Sequence, residues 1–164
     1  MITADLLRDL QKAFKDANRL FQQGNYEGSV ECYREALQIN SSLPPNTEFD
    51  CRRFEASCQA GLSAAYGRLD KPLESFAAAN KALLFYDECG KRYPADTGRW
   101  LMALVNQGTS LAAFRCFNDA QAAFKRAKEI FISKGLDTPQ NKSWIEMVNE
   151  NIAVLNAQMS KLEQ

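Results

Sequence analysis

Ala36, Ala82 and Ala127 stand 46 and 45 residues apart, and each has the same kind of neighbours. Three positions before them lie Tyr33, Ala79 and Phe124; seven positions before them lie the small residues Ser29, Ser75 and Ala120. A small residue returning at this interval on amphipathic helices marks a tandem array of helical hairpins, each stacked on the next to complete a shared core. Such arrays present a binding surface rather than a catalytic pocket, so the spacing bears on function as well as on fold.

The apolar pattern supplies the helices. Leu6, Leu10, Phe14, Ala17 and Phe21 climb one face of a first helix in steps of three and four. Gly24 suits a left-handed C-terminal position after it. A second helix carries Val30, Tyr33, Leu37 and Ile39 and stops before Pro44 and Pro45, which cannot continue it. Asn46 or Thr47 is expected to cap the third helix, Pro72 to open the fourth, and Gly90 to lie at the fourth helix's end. The fifth and sixth helices follow, separated by a very short turn at residues 115–118. A last helix with Trp144, Val148, Ile152, Leu155, Met159 and Leu162 on one face has no hairpin partner and reads as a cap on the stack. No segment alternates as a strand does.

Composition narrows the chemistry. The chain has 164 residues and no histidine, which removes histidine-based nucleophile pairs, imidazole bases and histidine-ligated zinc. Twenty basic residues balance twenty acidic ones, so no broad field draws nucleic acid or an anionic membrane. Arg52-Arg53 and Lys125-Arg126-Lys128 read as solvated faces. Five cysteines without CxxC spacing read as free packing thiols of a reducing cytoplasm. No apolar run reaches the roughly 20 residues of a membrane span, and residues 1–5 lack the pattern of an export signal. No metal or cofactor motif is present, and a cytoplasmic, non-enzymatic protein is the expectation.

Three sets of residues resemble the tetratricopeptide (TPR) pattern: Ala17, Leu20, Gly24, Tyr26, Ser29, Tyr33 and Ala36; Ser63, Tyr66, Pro72, Ser75, Ala79 and Ala82; Gly108, Leu111, Phe117, Ala120, Phe124 and Ala127. Small residues let paired helices approach toward the low end of about 8–10 Å, and the aromatics fill the space between hairpins. The common TPR period is about 34 residues, so this chain resembles a long-helix variant. The segments around Leu43-Pro44-Pro45, Asn80 to Tyr86 and Arg99-Trp100-Leu101 also resemble a small bacterial TPR-like family of unassigned function. The resemblance implies an all-α, right-handed superhelix in one domain, with hairpins at about 2–43, 46–91 and 95–134 and a capping helix at about 139–162.

In TPR arrays the first helix of each hairpin lines the concave wall. By that resemblance the candidate peptide groove comprises Phe14, Asn18, Phe21 and Gln22, then Ser57, Gly61, Ala64 and Arg68, then Met102, Val105, Asn106 and Thr109. Asparagine can bond both N–H and C=O of a peptide main chain. The competing reading is that the last helix folds back and fills this wall. A chaperone-tail carboxylate clamp is not expected, since its basic positions here hold Phe14, Met102 and Asn106, and its second asparagine is Gly61. Trp100 and Trp144 read as packing residues more readily than as exposed anchors. The leading function is a module that binds a protein or peptide partner. Its rivals are a self-associating scaffold, such as a homodimer, and a secretion-type chaperone built on TPRs.

Overall fold

A computed structural model describes residues 2–45 and 47–163. Its described residues form seven α-helices and no strand: α1 (Ile2–Gln22), α2 (Tyr26–Ser41), α3 (Cys51–Arg68), α4 (Pro72–Cys89), α5 (Thr97–Ala113), α6 (Phe117–Ser133) and α7 (Lys142–Leu162). α1 packs on α2, α3 on α4 and α5 on α6; α2 then meets α3, α4 meets α5, and α7 lies on α6. The chain is therefore a stack of three TPR-like hairpins closed by one further helix.

Each hairpin turn is built the same way. Gly24 (φ 80°), Asp70 (φ 56°) and Arg115 (φ 63°) hold the left-handed position, at the same 46- and 45-residue spacing as the alanines. The following amide reaches back to the last turn of the helix, from Asn25 to Leu20 at 2.9 Å, Lys71 to Tyr66 at 3.0 Å and Cys116 to Leu111 at 2.8 Å. A second bond, such as Gly24 to Phe21 at 3.0 Å, completes a Schellman motif that satisfies carbonyls the helix leaves open. Gly135 repeats the device after α6.

The small residues sit where the helices of a hairpin cross. Ser29 donates its hydroxyl to the Ala17 carbonyl at 2.8 Å, and Ser75 to the Ser63 carbonyl at 2.7 Å, both buried. In the third hairpin Gly108 lies against the Phe124 ring, where a Cβ would come within 2.9 Å of it. The alanines of the repeat, Ala36, Ala82 and Ala127, are fully buried. The long period is spent on helices of 16 to 21 residues and on linkers at 42–50 and 90–96, the second wound into two short 3-10 turns.

Three sequence expectations change here. Asp50 caps α3 by accepting from the Arg53 amide at 3.0 Å, in place of Thr47; Asn46 lies outside the described residues. Gly90 closes α4 as expected, with a right-handed φ of −58°, and it also serves close approach, since a Cβ would stand 2.5 Å from the Trp100 ring packed over it. Arg53 is not merely solvated: it forms a two-pronged pair with Asp96, at 2.7 and 2.9 Å, and stacks on Tyr93 at 4.3 Å. All five cysteines are free, and Cys116 is exposed at a hairpin turn rather than packed.

Candidate groove

The inner wall is a continuous concavity of two lobes that share Phe21, Ala64 and Met102. The larger lobe, about 660 Å³, lies toward the C-terminal end. Its floor comes from α3 (Ala64, Gly67) and α5 (Gly98, Leu101, Met102, Val105, Asn106, Thr109), with Arg68 of α3 at the edge. Its far rim is Phe131, Leu136, Asn141, Trp144 and Met147. The smaller lobe, about 340 Å³, is walled by Asn18, Phe21, Gln22, Tyr33, Gly61, Ala64, Arg99 and Met102.

Ten of the twelve candidate residues line these lobes, and two do not. Phe14 turns its ring against Phe54 at 5.2 Å and Tyr33 at 6.0 Å, inside the packing between the first two hairpins. Ser57 spends its hydroxyl on the Tyr86 hydroxyl at 3.2 Å. Both are held by large neighbours from other helices, which the wall pattern did not take into account. Gly61 lines the smaller lobe but is covered: a Cβ there would stand 2.3 Å from Cζ of Tyr33.

Tyr33 comes from α2 and passes over Gly61 to place its hydroxyl on the inner face. That hydroxyl bonds Asn18 Oδ1. Arg99, in the first turn of α5, reaches the same point. Its guanidinium donates to Asn18 Oδ1 at 2.7 Å, to the Tyr33 hydroxyl at 3.2 Å and to the Ser57 carbonyl at 3.3 Å. The same group lies over the Phe14 ring at 5.1 Å. One side chain thus ties the third hairpin to the first and second. Asn18 was expected to offer its amide to a ligand, yet its oxygen already holds Tyr33 and Arg99.

Asn106 donates to the Met102 carbonyl at 2.8 Å and aims its oxygen at Gly67, 2.9 Å from where a Cβ would lie. Thr109 bonds the Val105 carbonyl at 2.9 Å. Arg68 is exposed at the rim, with its guanidinium 5.7 Å from the Tyr26 ring. The lobe floor is therefore apolar surface with polar groups mostly pre-positioned by their own helices.

The last helix does not fill the concavity. Val148 and Leu155 are buried against α6, and Trp144 stacks on Phe131 with centroids 4.3 Å apart. Trp144 and Met147 form the rim of the larger lobe, while Trp100 is buried, with its indole N–H donating to Asp87 at 3.3 Å. Arg99 and Tyr33 were not among the sequence candidates. The signal for Arg99 was present, since it falls in the family-like Arg99-Trp100-Leu101 segment, but nothing in a linear pattern shows which way the side chain crosses.

Among the described residues no set of three or more Cys, Asp or Glu side chains converges to hold a metal. No helix among them is long and apolar enough to cross a membrane. Burial pushes the Cys58 thiol up to about 12 and the Tyr86 hydroxyl up to about 12, so both are neutral packing groups at neutral pH.

Residues 7–157 match the sequence model of a family described as Domain of Unknown Function (DUF3856). No curated protein matches the chain. Among solved structures, a TPR-like protein from Chlorobium tepidum is 26% identical with a TM-score of 0.87, covering 95% of this chain and 99% of its own. The Rap conjugation gene regulator of plasmid pLS20, solved with the Phr* peptide, is 24% identical with a TM-score of 0.68 over 97% of this chain; the match spans 40% of that regulator. The first TPR of Spaghetti (RPAP3), bound to an HSP90 peptide, is 16% identical with a TM-score of 0.58, covering 89% of this chain and 97% of its own. These likenesses establish a TPR-like helical repeat.

Proposed function

We propose a function for this chain, which belongs to the DUF3856 family, from the groove itself: it is a protein-interaction module that takes an extended or helical peptide segment along its inner wall. The observation that carries the reading is an open concavity of about 660 Å³, apolar at the floor and rimmed by Trp144, Met147 and Arg68. A floor built close to the backbone at Ala64, Gly67 and Gly98 lets a ligand main chain come near, and aromatic and methionine side chains give it apolar pockets. Two structural neighbours of the same fold were solved with peptides bound, which supports the class of ligand without identifying it. The mode of action is binding, with the groove's polar groups orienting the segment.

Met102 lies in both lobes, so Met102→Trp is a plug. A random peptide library selected on the wild-type chain should yield a related set of binders, and the plugged variant should retain the wild-type melting point yet lose them. Failure to enrich any peptide, or binders indifferent to the plug, contradicts the proposal.

A further inference from the structure

Resting on the groove reading above, we infer that the segment bound carries a carboxylate and that Arg99 is the residue that receives it. The basis is a charge without a counter-charge. Arg68 and Arg99 are the only charged side chains among the described residues lining the two lobes. The whole chain is neutral, so a cationic groove is a matter of placement and not of composition.

Arg99 is half-buried, and every oxygen that accepts from it is neutral: Asn18 Oδ1, the Tyr33 hydroxyl and the Ser57 carbonyl. Arg53, on the neighbouring linker side, shows the contrast. It has a carboxylate, Asp96, in a two-pronged geometry. Asp96 stands one helical turn before Arg99 and is committed to Arg53. Three contacts do not exhaust the five N–H donors of a guanidinium. They hold the group in one orientation before any ligand arrives, which lowers the ordering cost of binding. A cation in a concavity with low-dielectric walls keeps its field and favours an incoming carboxylate.

The rest of the smaller lobe specifies what flanks that carboxylate. Phe21 and Met102 stand beside Arg99 and continue into the larger lobe. The occupant is therefore a peptide with an acidic group followed by apolar side chains. Arg99 lies one turn before Met102, off the positions where the chaperone-tail pattern places its cations, so the carboxylate is taken in a different register from that pattern.

The test begins with peptides selected from the random library on the wild-type chain. Each is remade unchanged, with its Asp and Glu replaced by Asn and Gln, and with its C-terminus amidated. One neutral form should lose roughly ten- to hundredfold in affinity for the wild type. Which form loses it separates a side-chain acid from a free C-terminus. In Arg99→Gln the difference between acidic and neutral forms should shrink to about threefold or less. Arg99→Lys keeps the charge and guards against a loss of fold: there the acidic form should still win, by a smaller factor than in the wild type. Groove-bound peptides that tolerate both neutralisations overturn the inference and leave the groove reading standing. An acid preference that survives Arg99→Gln in a normally folded protein does the same. The absence of any groove-bound peptide overturns both.

Discussion

The hairpin turns and the concave wall are made from the same three repeats, yet one is uniform and the other is not. At the turns, Gly24, Asp70 and Arg115 take the same left-handed conformation and the same backward hydrogen bonds, although the residue types differ. On the wall, the equivalent positions Asn18, Ala64 and Thr109 differ in size and chemistry, and so do Gln22 and Arg68. Backbone closure is a requirement of every hairpin, so each repeat must meet it. The wall meets no such common requirement, and its variation is where a ligand can be specified.

That contrast can be broken in order of expected effect. At neutral pH the largest effect belongs to Gly61→Ala, because the added methyl would stand 2.3 Å from a buried tyrosine ring that is itself tied to Asn18 and Arg99. Overpacking of this kind should cost about 3 kcal/mol in chemical denaturation; a neutral result would mean that Tyr33 moves freely and the inner cluster is loose. Next is an alkaline fall in stability. Cys58 and Tyr86 titrate at about 12 when folded, against 9.0 and 10.0 ordinarily, mainly because burial disfavours their charged forms. The unfolded chain releases these protons first, so stability is full below pH 9.0 and declines between there and about 12. Cys58→Ser, whose hydroxyl does not titrate in this range, should flatten part of that decline in a melting series.

Smaller changes probe the turns. Gly24→Ala should lose about 1 kcal/mol, since a Cβ meets no neighbour there and only the positive φ is at issue. Arg115→Gly should gain about 0.5–1 kcal/mol for the same reason with the sign reversed. Equal and opposite shifts would show that the two turns are one structure with different occupants. The smallest effect is a rate: a thiol reagent should modify exposed Cys116 in the folded protein and leave buried Cys58 untouched until global unfolding.

The fold was legible because its signal is periodic. Ala36, Ala82 and Ala127 are buried at helix crossings, where any larger side chain would separate the pair, so they must be small in every repeat. The inner wall was legible at one level: first helices face inward, and ten of the twelve candidates line the two lobes for that reason. What could not be read were the side chains that leave their own element. Tyr33 belongs to a second helix and still reaches the inner face across Gly61. Arg99 spans 81 residues of sequence to meet Asn18. Its equivalents in the earlier repeats are Arg8 and Phe54, so no repeat pattern marks it out. Phe14 and Ser57 were misplaced for the converse reason, because aromatic neighbours draw them into the packing.

A crystal structure of the chain with its tightest library-selected peptide tests the central claim most directly. The account predicts peptide density along α1, α3 and α5, over Ala64 and Met102 and up to Trp144. A peptide seated instead on the outer face, against α2, α4 or α6, would contradict it.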